Sequence, residues 1–385
     1  MQLLEKIIIS SVLILAVLII RTLFRKKVSP VFIYSLWLLA AVRILWPGMI
    51  GESPLSIMNT GLWKTGEKVI LKESDRQSRE YKERKYQKYL EEITGKQRLE
   101  QLQEDAGSKE IPSKEPETGE IVLPFPAGPS PTLFGRLEFW AVRVWIVGMA
   151  VIGAVFLRRN LSLYRYLRRT RKKLREVSTG IGTGFGPGKR RIAVFTAGDK
   201  LPSPCLFGLL PSIYIPERCV AGEKSREKDE RLDVILNHEM THYRHFDPVW
   251  SLVRMLCLIT AWYNPLVWIA DRLSVRDGEL ACDWGCVKRL DREKRIAYGE
   301  ALLSMVDSTG ERSGLLLNAT MMTADGKFMK KRMEGIVENR KISGIAVLAV
   351  AVIMVLCAGA VFTGSVAGET QENGGTEGRT ANTAW

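Results

Sequence analysis

The sequence predicts a mainly α-helical membrane protein, with four transmembrane helices and a cytoplasmic α+β domain between the third and the fourth. Three observations carry this expectation. Four apolar stretches are long enough to cross a bilayer, which needs about 20 residues. Basic residues gather on one side of each stretch. Two short β-like runs and all 3 histidines fall between the third and fourth stretches.

The first stretch, Ile7 to Ile20 with its flanks, is followed at once by Arg21. It has no small-x-small cleavage site, so it reads as an uncleaved span. The second, Val31 to Ile50, completes a hairpin over residues 1–50. The third runs from Phe139 to Leu157 and the fourth from Ile345 to Phe362. Arg43 and Arg143 lie inside the second and third, where each is expected to face a helix neighbour or to snorkel.

Orientation follows from the bases. Arg21, Arg25, Lys26 and Lys27 follow the first span, and an acid-free run from Arg158 to Arg175 follows the third. Lys330, Lys331, Arg332, Arg340 and Lys341 precede the fourth, whereas Glu369, Glu372 and Glu377 stand after it against Arg379. This pattern places both termini outside and residues 158–342 in the cytoplasm. The net charge of +14 is thereby assigned to topology and anionic lipid, and no direct nucleic-acid binding is expected. Cysteine usage agrees: Cys205, Cys219, Cys257, Cys282 and Cys286 fall on the cytoplasmic side, Cys357 lies in a span, and the external segments have none. Such thiols are reduced and unpaired, and Cys282 and Cys286 read as core residues.

Residues 51–137 form an external loop. Its charged part, Glu73 to Asp105, repeats Tyr86, Tyr89, Leu90 and Ile93 at helical spacing, and a Pro-rich link from Pro112 to Pro131 follows. The third span, 138–157, leads into the 158–342 domain, and 343–364 form the last span. The tail, 365–385, has too little apolar content to fold. The domain opens with a basic helix. The Gly180–Lys189 run superficially resembles a phosphate loop, but its spacing fails and it reads as a linker. The β-like runs are Arg191 to Thr196 and Ser212 to Ile215, and the pattern is helical from Asp229 onward. A short sheet edge here is suited to holding a peptide by strand addition.

Within the helical part stands His238-Glu239-Met240-Thr241-His242, with His245 three residues on. Positions i and i+4 share a helix face, so His238 and His242 can bind one zinc ion while Glu239 acts as general base toward the attacking water. A catalytic zinc needs a third protein ligand, and with no histidine beyond this cluster a carboxylate is the natural choice. Glu279 and Asp283 are also i and i+4, so one can bind metal while the other supports a ligand from behind. Pro248 to Ala270 is apolar enough to suggest a further span. A span would separate its ends by about 30 Å, which two helices sharing one zinc forbid. It reads instead as a core helix, one that can also lie against the membrane interface.

At this point the chain resembles the BlaR/MecR-type regulatory membrane metallopeptidases. The matching elements are Pro204 through Phe207-Gly208, Pro211 to Pro216, His238-Glu239-x-x-His242 with Asp247, Asn264-Pro265-Leu266-Val267-Trp268, Glu279-x-Ala281-Cys282-Asp283, and Met329-Lys330-Lys331-Arg332. With the spans they run over nearly all of residues 1–364. The resemblance implies a gluzincin-like domain with Zn2+ held by His238, His242 and Glu279, and with Glu239 as base. Asp283 and Asp247 are implied to support the site. An external stimulus is implied to activate cleavage of the chain itself or of a winged-helix transcriptional repressor. Well-known members carry a penicillin-binding sensor after the fourth span. Only about twenty residues follow here, so the 51–137 loop, relaying through the third span, or a separate sensor protein is expected to receive the signal.

The reading is a bacterial-type membrane zinc endopeptidase. The alternatives are a constitutive membrane protease resembling CAAX-processing or quality-control peptidases, and a non-catalytic transducer whose zinc only stabilises the fold. An intact Glu239 argues against the latter. Tyr243 or Arg244 could steady the oxyanion, and nothing in the sequence selects either.

Overall fold

The computed structural model describes residues 2–46, 133–182, 189–208, 210–220, 226–307, 326–338 and 342–364, with isolated positions between 48 and 98. Apart from those positions, the expected charged helix at Glu73–Asp105 lies outside the described residues, as do the Pro-rich link and the 365–385 tail.

Helix α1 spans Gln2–Phe24 and α2 spans Pro30–Leu45. Ser29 starts α2 by accepting from the Phe32 amide, with Pro30 in the first turn, where a missing N–H does no harm. At the other end Trp46 turns extended, with φ −103° and ψ 101°, as a residue preceding proline must. That stop shortens the second expected stretch, which the sequence carried on to Ile50. Helix α2 has 16 residues, about 24 Å, against about 30 Å of hydrocarbon. Among the described residues, three helical segments are long and apolar enough to cross a membrane: Ile7–Phe24, Phe139–Thr170 and Gly344–Phe362. Arg43 is buried, bonding from Nη1 to the Trp46 carbonyl at 3.0 Å and lying 5.8 Å from the Phe362 ring centre. Arg143 stays exposed and stacks over Phe139 of its own helix at 3.9 Å.

Helix α3, Leu133–Thr170, runs 38 residues without a break, so the third apolar stretch and the basic helix beyond it are one rod. The basic run then changes structure. Lys172, Lys173 and Arg175 belong to strand β1, Lys172–Gly182, which the sequence did not separate from the helix. Strand β2, Lys189–Ala197, pairs antiparallel with β1. Gly180–Gly182 therefore end a strand of a β-hairpin, and only 183–188 of the expected linker remain, outside the described residues. Strands β3, Cys205–Phe207, and β4, Ser212–Pro216, complete a sheet of order β1-β2-β4-β3. Strand β2 runs parallel to β4, and β3 antiparallel to it. The two expected β-like runs are β2 and β4. Strand β3 was missed because it has 3 residues, too few to show a period.

A short helix α4, Glu217–Val220, leads toward α5, Arg226–Arg244. Ile192, Val194, Ile213 and Ile215 of the sheet close a core against Ile235 and Met240 of α5. Next come α6, Asp247–Thr260, and α7, Pro265–Val287. The single core helix expected over Pro248–Ala270 is thus two, a correction with a local cause. Pro265 has no amide hydrogen to continue a helix, and Asn264 caps the new one by accepting from the Leu266 amide. The turn between them is wedged among the apolar helices. Asn264 Nδ2 donates to Ser11 Oγ at 2.9 Å, and Trp145 Nε1 donates to the Thr260 carbonyl at 2.7 Å. The Trp262 ring lies so close to Gly148 that a Cβ there would sit 2.2 Å from it. Ile14, Trp37, Leu258, Val267 and Val350 share one core, so this segment packs among the apolar helices along its length. Helices α8, Arg292–Asp307, α9, Gly326–Val337, and α10, Gly344–Phe362, complete the described chain.

Candidate metal centre

Helix α5 presents His238, Glu239 and His242 on its buried side, at 1%, 4% and 2% exposure. Beyond Arg244 the chain reverses at Phe246, which takes the left-handed conformation at φ 60°. That conformation costs a non-glycine residue about 1–2 kcal/mol. The reversal starts α6 with Asp247 and brings its Oδ2 to 2.5 Å from His242 Nδ1. Helix α7 supplies Glu279 and Asp283 one turn apart.

Three candidate ligand residues converge. His238 Nε2 and His242 Nε2 are 3.1 Å apart, and Glu279 Oε2 and Oε1 stand 3.6 Å from them respectively. Ligands about 2 Å from a tetrahedral zinc are about 3.3 Å from one another, so this donor set fits the ion. His242 Nδ1, Asp247 Oδ2 and Cys282 Sγ form a second close group. Its 2.5 Å N···O separation marks a short, direct hydrogen bond and is too close for two ligands of one ion. The second group therefore lies behind the first. It fixes the tautomer of His242 so that Nε2 keeps its lone pair.

His238 is held in the same way. Its Nδ1 lies 2.9 Å from Tyr298 Oη, which donates to Asp283 Oδ1 at 3.1 Å. Asp283 in turn accepts from Arg332 Nε and Nη2 at 2.7 and 2.8 Å. Arg332 Nη1 comes within 2.9 Å of Glu279 Oε2 as an ion pair without hydrogen-bond alignment. One buried guanidinium of α9 thus ties both carboxylates of α7 together.

Burial favours the neutral form of Glu279, but Arg332 and the two histidines outweigh it and hold its carboxyl far below the usual range. Burial would lower His238, yet its hydrogen bonds with Cys286 and Glu279 and the charge of Asp283 lift it well above the usual value. Glu239 differs. Burial pushes its carboxyl up against the pull of His242 and His238, and its Oε2 is buried with no hydrogen-bond partner. A buried carboxylate oxygen without a partner calls for an explanation. An orphaned acceptor beside an N,N,O donor set fits a centre that takes a metal and a water.

The structure thus brings His238, His242, Glu239 and Glu279 together, with Asp247 and Asp283 behind the histidines. His245 stays apart, its Nδ1 3.5 Å from Cys282 Sγ. Tyr243 packs against the sheet core and Arg244 is exposed. Among the described contacts neither reaches the ligand atoms. Cys282 proves to be more than core filling, since its Sγ lies 3.0 Å from His242 Nδ1. Sequence reasoning missed Tyr298, which no motif marks. It counted Arg332 and Arg21 as topogenic charges, whereas both are buried, Arg21 against Asp277 at 2.6 Å.

The family described as BlaR1 peptidase M56 matches residues 1–336. The chain belongs to this family. Its long apolar helices accord with a membrane-bound, signal-transducing peptidase family. The regulatory protein BlaR1 of Bacillus licheniformis is 27% identical over 229 residues, covering 58% of this chain and 36% of that protein. The methicillin resistance mecR1 protein of Staphylococcus aureus is 28% identical over 115 residues, 30% of this chain and 19% of that protein. The regulatory protein BlaR1 of Staphylococcus aureus is 25% identical over 174 residues, 42% and 28% respectively. The matches therefore span 36% of the first relative's length and less of the other two.

Proposed function

We propose that the chain is a membrane-bound zinc endopeptidase of signal transduction, with His238, His242 and Glu279 as ligands and Glu239 as general base. An external stimulus activates it to cleave itself or a cytoplasmic transcriptional repressor of the winged-helix class. A separate sensor protein is a candidate source of the stimulus. The observation that carries the reading is the buried, unpartnered Glu239 Oε2 beside the three converging ligand atoms.

Zinc bound by these residues would supply a Lewis acid for the scissile carbonyl and for the attacking water. Glu239 would take a proton from the attacking water and return it to the leaving amine, and its raised affinity for protons suits both halves of the task. Asp247 and the Tyr298–Asp283 pair keep the Nδ1 protons of the histidines engaged, so neither ring turns. Strand β3 lies at the edge of the sheet beside α5 and offers its free edge to an extended peptide. In the membrane, residues 158–342 are cytoplasmic and both termini outside, with α2 as a short fourth crossing beside the three longer helices.

The test uses the full chain in detergent, with bound zinc measured and cleavage of a co-expressed repressor followed by immunoblot. Glu239→Gln should keep its zinc and lose cleavage, because the amide preserves shape but accepts no proton. Glu279→Ala should lose both. Full zinc in Glu279→Ala would falsify the ligand assignment, and wild-type cleavage by Glu239→Gln would remove the base.

A further inference from the structure

The α1–α2 hairpin reaches into the metal centre. Tyr34, one turn into α2, donates from Oη to Asp247 Oδ1 at 2.8 Å, and the other oxygen of that carboxylate holds His242 Nδ1. The Tyr34 ring lies against the backbone next to Glu279, where a Cβ on Gly278 would come within 3.2 Å of its Cζ. Three residues on, and so on the same face of α2, Trp37 Nε1 donates to Asp277 Oδ2 at 2.9 Å. Arg21 of α1 bonds the same oxygen at 2.6 Å. The hairpin therefore grips α7 two residues before Glu279 and holds His242 from behind. By contrast, the hydrogen bonds linking α3 to other elements fall on Met255, Thr260, Trp262 and the Lys200 amide, away from the ligands.

We propose that Tyr34 is a positioning residue of the metal centre, acting on His242 through Asp247, and that the α1–α2 hairpin is thereby the membrane-side control of the peptidase. The proposal rests on the zinc-peptidase reading above. A phenol proton on Oδ1 fixes Asp247 in rotation, which aligns Oδ2 with His242 Nδ1 and aims Nε2 at the metal position. The 51–137 segment joins the far end of α2 to α3. A stimulus that shifts α2 along its axis by part of a turn, a shift of an ångström or two, draws Oη out of hydrogen-bond range and frees Asp247 to rotate. Among the described residues, α3 makes no hydrogen bond to a ligand's partner.

Tyr34→Phe keeps the ring packed on Gly278 and removes only the hydroxyl. In the full chain in lipid nanodiscs, zinc affinity by chelator competition should fall on the order of 10-fold, as for other outer partners of a metal ligand. The visible absorption bands of the cobalt-substituted protein should shift. In an Asp247→Asn background the same substitution should add less than about 2-fold, because its only route is already cut. Ser35→Ala, on the exposed face and bonded only to its own helix, should change neither readout. Unchanged zinc affinity and cobalt spectrum in Tyr34→Phe would overturn the proposal and leave the peptidase reading standing. So would an undiminished effect in the Asp247→Asn background. A wild-type chain that binds neither zinc nor cobalt would overturn both.

Discussion

Replacing Arg332 by methionine removes the cation that joins α9 to the metal centre. The side chain is 1% exposed and faces Asp283 at 2.7 and 2.8 Å and Glu279 at 2.9 Å, two carboxylates themselves 3% and 2% exposed. Methionine fills much of the same space, so the loss is electrostatic rather than a cavity. Truncating one partner of a buried ion pair destabilises by about 3–5 kcal/mol, because the other charge stays buried and uncompensated. For a domain of about 150–250 residues each kcal/mol moves the thermal midpoint by about 2–4 °C. The expected fall is therefore on the order of 10 °C, read by tryptophan fluorescence in detergent. It should be larger with chelator present, when zinc no longer neutralises Glu279. Lysine should recover only part, since one ammonium cannot serve three oxygens in two directions. The Arg332→Met and Asp283→Asn losses should be non-additive by at least about 1 kcal/mol. A midpoint within about 3 °C of wild type would refute the account of Arg332 as the buried clamp.

Three further outcomes are expected. A Cβ at Gly148 would lie 2.2 Å from Trp262, whose Nε1 donates to the Trp145 carbonyl at 3.3 Å, so Gly148→Ala must swing that ring off the carbonyl, and overpacking of this kind destabilises by about 1–3 kcal/mol. An unchanged thermal midpoint would contradict the packing of α3 on the α6–α7 turn. Chelation should lower the midpoint of the wild type by the linkage energy, about 2.7 kcal/mol at a free zinc level 100 times Kd, and should leave that of Glu279→Ala unmoved. On intact cells, a membrane-impermeant thiol reagent should label cysteines introduced at Ser113 or Thr383 and miss one at Ser225. Labelling at Ser225 would place the peptidase on the wrong side for a cytoplasmic repressor.

The parts of the centre that could be read in the sequence are those set by local spacing. His238 and His242, or Glu279 and Asp283, share a helix face whatever the rest of the chain does, because 3.6 residues make a turn. The parts that could not be read depend on where distant helices meet. Tyr298 and Tyr34 sit in helices with no motif around them, and their partners lie 60 and 213 positions away. Arg332 was concealed by company, one base among several before an apolar helix, with nothing local to mark it as the buried one. The same masking hid β1, whose alternating bases continue the basic face of α3. The end of α2 was legible, since Trp46 precedes Pro47. Hydropathy alone carried the reading on to Ile50.

The grip of the hairpin on α7 also bears on the order in which the protein is made. Its hydrogen bonds join residues 213, 240 and 256 positions apart, and Arg332 comes from α9, close before the last apolar helix. A nascent chain that has made α5 holds the His-Glu-x-x-His segment but neither Glu279 nor the guanidinium that fixes it. Closing contacts over such separations is slow compared with forming helices. The metal centre therefore cannot be completed ahead of its surroundings. It comes together only after the first hairpin is seated and α9 has been made.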